Sequence, residues 1–304
     1  MEVLKSKKDV FIDFNEIFSL RKYPAGEPHI IFNEARFNEL DFYNSYVKHP
    51  RFIIETHLEF KTDSGYTVPK RDFNGLALIA QANESFKSYL GSLNTNQSHV
   101  FAIPYMPFGR HDRRENPHDA LPINLVRKIL EDVPVITVDP HSDVTGNEFS
   151  FVPQANFVKA AYNYLINPES QVPIIPDNGA TKKVYEWAGS FSSAPVQCSK
   201  RRDPATGALS GFSIDPQADV NGKNCVIFDD ICDGGGTFLG ILSLLKDGGA
   251  KTVTLAVTHG LFTKGLDNGL EQFDSIICLD RPGLIRVSGY DKVNIETIKL
   301  KSIW

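Results

Sequence analysis

Asn224-Cys-Val-Ile-Phe-Asp-Asp-Ile-Cys-Asp-Gly-Gly-Gly-Thr-Phe238 decides how the rest of the sequence reads. Its apolar start has the length and Val/Ile content of a buried strand, which ends in Asp229 and Asp230. A loop carrying Asp233, Gly234, Gly235, Gly236 and Thr237 follows. Phe238-Leu-Gly-Ile-Leu-Ser-Leu-Leu245 then reads as a helix that stops at Asp247-Gly-Gly249. Adjacent carboxylates at the C-terminal edge of a strand point into the crevice where α/β sheets bind ligands. They can accept hydrogen bonds from vicinal ribose hydroxyls or help to hold a divalent ion. The glycines let the backbone approach an anion with its N–H groups turned inward. The helix N-terminus adds positive potential, and Thr237 adds a hydroxyl and an N–H. No Lys-Ser/Thr follows the glycines, so this is not a Walker A loop. It is not a dinucleotide fingerprint either, because the acids precede the glycines and G-x-G-x-x-G is absent. A plain strand-to-helix turn needs glycine but not three acids beside three glycines within eight positions.

Similar apolar strands recur at 99–104, 133–138, 172–175, 252–257 and 275–279, each bounded by Asp, Pro or Gly. Helical patterns lie between them at 74–90, 123–130 and 155–166. This βαβα rhythm predicts an α/β fold with mainly parallel sheets flanked by helices. It occurs twice, so we expect two packed domains, residues 1–150 and 151–304, with no Ser/Gly linker between them. The 304 residues carry 32 Lys plus Arg against 37 Asp plus Glu, a formal charge of -5. A chain that coats nucleic acid is normally strongly basic, so any anion site here is local. No apolar run reaches the roughly 18 residues needed to span a membrane, and the first residues lack a signal-peptide core. The expectation is a cytoplasmic protein without nucleic-acid or membrane partners. Cys198, Cys225, Cys232 and Cys278 form no CxxC pair and read as reduced, buried thiols.

The loop resembles the phosphoribosyl-binding motif of the phosphoribosyltransferase fold. Together with Leu244-Leu-Lys-Asp-Gly-Gly-Ala-Lys251 and Ala256-Val-Thr-His-Gly-Leu-Phe262 it is similar to the ribose-phosphate diphosphokinases, the PRPP synthetase family. The Thr-His-Gly-Leu-Phe stretch separates that family from ordinary phosphoribosyltransferases, although His259 alone also reads as a core histidine. Pro104-Tyr-Met-Pro-Phe-Gly-Arg-His-Asp-Arg-Arg114 resembles the family's ATP-contacting signature, with His111 in place of the usual Gln. Its arginines match phosphate oxygens in a bidentate manner. The resemblance implies two phosphoribosyltransferase-like domains and a set of roles. Arg110, His111, Asp112 and Arg113 bind ATP. In Arg21-Lys-Tyr-Pro-Ala-Gly-Glu27, Tyr23 stacks on the adenine and Glu27 hydrogen-bonds it. His141, in Val138-Asp-Pro-His-Ser-Asp143, and Asp177, in Ile175-Pro-Asp-Asn-Gly-Ala-Thr-Lys-Lys183, associate with Mg²⁺. Lys200 and Arg202 match the cations of a mobile catalytic loop that continues through Gly211. Asp229, Asp230, Asp233 and Gly234–Thr237 hold the ribose 5-phosphate.

By the same resemblance, the anomeric hydroxyl of a ribose 5-phosphate unit attacks the β-phosphorus of Mg-ATP and AMP leaves. Lys200, Arg202 and Arg110 neutralise the developing charge. Two acceptors stand even: ribose 5-phosphate, giving PRPP, and ADP-ribose, giving a 1-pyrophosphate for NAD salvage. The family usually has Thr where Gly234 stands, and an all-glycine loop leaves room for a phosphate that continues into a second group. The stretch Glu115-Asn-Pro-His-Asp119 is acidic where the family is basic, and Ala25 replaces a polar residue. A PRPP-consuming phosphoribosyltransferase and a non-catalytic regulator of a true synthetase are the competing readings. The family forms dimers and hexamers, so the expected partner is a further copy of the chain.

Overall fold

The computed structural model describes residues 9–40, 50–62, 67–93, 97–114, 116–202 and 209–304, the side chains of 67–69, 200–202 and 209–210 excepted. The chain divides into two compact units, residues 1–152 with Trp304, and residues 153–303.

The first unit is built on β1 (Asp9–Asp13), α1 (Phe14–Ile17), β2 (Phe18–Lys22), β3 (Pro28–Phe32), α2 (Glu34–Glu39), β4 (Arg51–Glu55), β5 (Glu59–Lys61), β6 (Thr67–Pro69), α3 (Phe73–Ser92), β7 (Ser98–Ala102), α4 (Pro122–Ile129), β8 (Val135–Val138), α5 (Asp143–Glu148) and β9 (Ser150–Val152). A parallel five-stranded sheet runs β1-β4-β7-β8-β9, in sequence order with no reversal. The hairpins β2-β3 and β5-β6 stand outside it. Helix α3 starts where Asp72 accepts the Gly75 N–H at 2.9 Å, and it buries Leu76, Ile79, Ala82, Phe86, Tyr89 and Leu90 at helical spacing. Within the core, Phe37 meets Phe52, Phe86 and Tyr89 edge-on, and Phe52 meets Phe86 edge-on. Trp304 groups with this unit, although the sequence reading placed it with residues 151–303. Its ring meets Phe11 edge-on at 5.3 Å and its N–H donates to Asp9 at 3.0 Å, while Arg51 grips the same carboxylate at 2.8 and 2.7 Å.

The second unit contains α6 (Gln154–Ala161), β10 (Gln171–Ile175), α7 (Thr181–Trp187), β11 (Val196–Arg202), β12 (Leu209–Ile214), β13 (Asn224–Cys232), α8 (Gly236–Asp247), β14 (Thr252–Gly260), β15 (Ser275–Leu279), β16 (Ile295–Ile298) and α9 (Leu300–Ile303). Its seven-stranded sheet runs β12-β11-β10-β13-β14-β15-β16. Every pair is parallel except the β11-β12 hairpin. From β10 the chain crosses to one side to form β11, and β13 returns on the other side. Loops leaving the C-terminal ends of β10 and β13 therefore diverge and open a crevice, the arrangement in which open α/β sheets bind ligands.

Most of the expected strands form close to their expected bounds, and two differences bear on the site. Strand β13 does not stop at Asp229 and Asp230, because its pairing with β14 continues through Ile231↔His259 and Cys232↔Gly260. The expected helix over 155–166 ends at Ala161 and tightens into a 3₁₀ turn at Tyr162–Tyr164.

Candidate active site

The crevice of the second unit is lined by the loop after β10 and the end of β13. Asp177 closes its own turn, its Oδ1 accepting the N–H groups of Gly179 at 2.9 Å and Ala180 at 3.2 Å. Asp229 is half-buried and Asp230 is buried. Asp229 Oδ1 accepts the Asp230 N–H at 2.9 Å. Burial, then the Asp230 charge, push the Asp229 carboxyl well above the usual carboxylate range; its bond from the Asp230 N–H opposes this, and the Asp177 charge reinforces it. Lys183, from α7, sets its ammonium 3.5 Å from Asp230 Oδ2. The carboxylates of Asp177, Asp229 and Asp230, with Lys183 beside them, suit hydroxyl donors and a cation.

Beyond the acids the chain enters the glycine loop. Gly235 has φ +80, a conformation that favours glycine, and a Cβ there would sit 3.1 Å from both Leu270 methyls. Helix α8 opens at Gly236, with Thr237 half-buried in its first turn. The opening amides of a helix have no partner within it and, with the helix dipole, favour an anion. A second loop braces the first: Thr263 donates from its hydroxyl to Asp233 Oδ1 at 2.5 Å and from its N–H to Asp233 O at 3.1 Å, and Asn268 Nδ2 donates to Gly234 O at 3.1 Å. Asp233 therefore holds loop to loop. His259 is buried at the end of β14, beside Ile231. Arg281 secures the segment after it, donating to Gly260 O at 2.9 Å and Leu261 O at 3.1 Å.

In the first unit the loops after the neighbouring strands β7 and β8 meet. Asp112 is buried and accepts the Ser142 hydroxyl, and Thr145 Oγ1 donates to Gly109 O at 3.1 Å. Phe108, at φ +61, stacks on Phe73 with ring centroids 4.2 Å apart and planes 11° apart. Against this frame Arg110, His111, Arg113 and His141 are exposed. Tyr23 and Glu27 sit exposed at the tip of the β2-β3 hairpin, where the Tyr23 N–H donates to Glu27 O at 3.0 Å.

The backbone of Lys200 and Arg202 lies in β11, paired with Phe212 and Leu209. Their side chains, residues 203–208 of the expected catalytic loop, and Glu115 lie outside the described residues. Lys183 and Arg281 were missed in the sequence. Lys183 ends the quoted Thr-Lys-Lys run, whereas Arg281 belongs to no quoted motif.

The phosphoribosyl transferase domain family matches residues 190–281, which include the glycine loop. The ribose-phosphate pyrophosphokinase of Ureaplasma parvum is 31% identical over 179 residues, 56% of this chain and 53% of that one. The enzyme of the same name from Corynebacterium efficiens is 27% identical over 172 residues, 53% of this chain and 52% of that one. The crystal structure of the phosphoribosylpyrophosphate synthetase of Mycobacterium smegmatis superposes with a TM-score of 0.66 at 19% identity, covering 93% of this chain and 86% of that chain. This chain is homologous to the ribose-phosphate pyrophosphokinases. It spans about half the length of the curated relatives it matches, and it shares the PRPP synthetase fold.

Among the described residues of this pyrophosphokinase homologue, no group of three His, Cys, Asp or Glu side chains is arranged to hold a metal ion. The donors present still fit Mg²⁺, which takes oxygen ligands and is normally held by one or two carboxylates, water and substrate phosphates. Asp177 and the Asp229–Asp230 pair offer such carboxylates. No helix among the described residues is long and apolar enough to cross a membrane.

Proposed function

We propose that the chain transfers the β,γ-diphosphate of ATP to the anomeric hydroxyl of a ribose 5-phosphate unit. The observation that carries this reading is the crevice between β10 and β13, where paired carboxylates run directly into a glycine loop at the head of α8. Asp229 and Asp230 accept the ribose hydroxyls, and the amides of Gly234–Thr237 take the 5-phosphate. The C1 oxygen attacks the β-phosphorus, the bond from that phosphorus to the α,β-bridging oxygen breaks, AMP departs with the bridging oxygen, and the hydroxyl proton passes to solvent. Asp177 and, by the family resemblance, His141 would hold Mg²⁺ brought in with the nucleotide, and the ion would supply neutralisation of polyphosphate charge. Arg110, His111 and Arg113 bind the ATP phosphates, Asp112 keeps that loop in place, and Tyr23 and Glu27 hold the adenine. Lys200 and Arg202 neutralise the charge that builds up during transfer.

Ribose 5-phosphate and ADP-ribose remain the two acceptors. The setting is cytoplasmic, in keeping with four buried, unpaired cysteines, and the working form is a homo-oligomer. Incubation of the full chain with Mg-ATP and each acceptor is expected to release AMP in a 1:1 ratio with the acceptor consumed, and Lys200→Ala is expected to slow this by 100-fold or more, on the order of a lost transition-state charge contact. Consumption of PRPP without ATP would instead identify a phosphoribosyltransferase. No AMP with either acceptor would exclude the proposal.

A further inference from the structure

We infer that Lys264 is a specificity-determining residue of the glycine loop, selecting an acceptor whose 5-phosphate continues into a second phosphate. This deepens the functional reading above and rests on it. A Cβ built on Gly234 would lie 3.2 Å from Lys264 Cδ, 3.3 Å from Cε and 3.5 Å from Cγ. The lysine stem therefore fills the volume that a side chain at position 234 would occupy, and the glycine is what admits it. The ammonium is one bond beyond Cε, at the loop itself, on an exposed residue.

The segment that presents Lys264 is braced on both sides. Thr263 is bonded twice to Asp233, the Gly265 N–H donates to Phe262 O at 3.0 Å, and Gly265 at φ +79 turns the chain away. Arg281 fixes Gly260 and Leu261 upstream. The backbone that carries Lys264 is thus fixed beside Gly234, which narrows the positions its ammonium must search to meet a ligand. Its chemistry then sets the preference. The loop amides and the helix terminus satisfy one phosphate. A phosphate monoester carries its charge on that group alone. A diphosphate ester spreads its charge over two groups, and the second needs its own cation at the loop mouth, where a flexible point charge serves. ADP-ribose is an acceptor of this class and ribose 5-phosphate is not.

The test is equilibrium titration of ADP-ribose and of ribose 5-phosphate into the full chain, its Lys264→Met variant, which keeps the stem without the charge, and its Lys264→Arg variant. Lys264→Met is expected to weaken ADP-ribose about tenfold, as for loss of one charge-assisted hydrogen bond, and ribose 5-phosphate no more than about twofold. Lys264→Arg is expected to restore most of the loss, and the difference is expected to shrink in high salt. Gly234→Thr, which crowds the stem, is expected to act like Lys264→Met. Equal weakening of both acceptors, or no change in either, would overturn the inference. Titration needs no turnover, so acceptors that bind as expected without AMP release would leave Lys264 standing and remove the diphosphotransfer reading. Failure of the wild-type chain to bind ADP-ribose would overturn the inference and leave diphosphate transfer to ribose 5-phosphate standing.

Discussion

His99 shows how one residue's surroundings set its charge. Its Nε2 lies 2.8 Å from Asn83 Oδ1, and the rings of Phe86 and Phe101 meet it edge-on. Burial, then the nearby Lys87, lower its pKa from 6.5 to about 4. The unfolded chain therefore binds this proton first as pH falls. The neutral ring's contribution is complete above about pH 6.5 and is lost as pH drops toward 4, roughly 2 kcal/mol after allowing for the exposed part of the ring. Urea unfolding between pH 7 and pH 4 is expected to show this decline, and His99→Gln to flatten it; an unchanged slope in the variant would remove His99 as the cause. The limits of sequence reading are visible at the same scale. Asp229, Asp230 and the glycines were legible because their chemistry is written in consecutive positions. Lys183 and Lys264 were not, since what matters about each is the neighbour that folding brings to it, Asp230 for one and Gly234 for the other.

Helix α8 carries the phosphate loop, and its seat is fixed by a glycine within it. A Cβ on Gly240 would come within 2.1 Å of Cε2 and 2.2 Å of Cδ2 of Phe212, on β12. Gly240→Ala must push that ring and strand aside, at about 1–3 kcal/mol. Thermal unfolding is expected to fall by several degrees, and Phe212→Leu in the same chain is expected to return part of the loss. No change in melting temperature would mean that the contact is not made. Elements were legible from sequence in proportion to their burial. Strands β10 and β14 are buried along almost their whole length and announce themselves as apolar runs. The β2-β3 hairpin and β11 carry Arg and Lys, and nothing in their composition marked them as strands. The continuation of β13 past its acids also escaped notice, because only pairing with β14 reveals it.

At the scale of the molecule, sheet topology places the chemistry. The first unit's strands follow one another in order; the candidate phosphate contacts follow β7, His141 follows the neighbouring β8, and the candidate adenine contacts stand on the β2-β3 hairpin. The second unit's strand order turns back between β10 and β13, and its acids and glycine loop stand where the turn opens the sheet. Alternation of strand and helix was readable as α/β architecture, but the order of strands was not, because a crossover to the left or right of β10 uses the same kinds of residues. The central claim is that this crevice offers a ribose 5-phosphate unit to ATP for diphosphate transfer. Phosphorus NMR of the full chain incubated with Mg-ATP and, in parallel, ribose 5-phosphate or ADP-ribose tests it most directly. The account predicts AMP together with a new pair of coupled phosphorus signals, one of them split by the C1 hydrogen. Appearance of ADP with a single new phosphate ester, or ATP left unchanged with both acceptors, would contradict it.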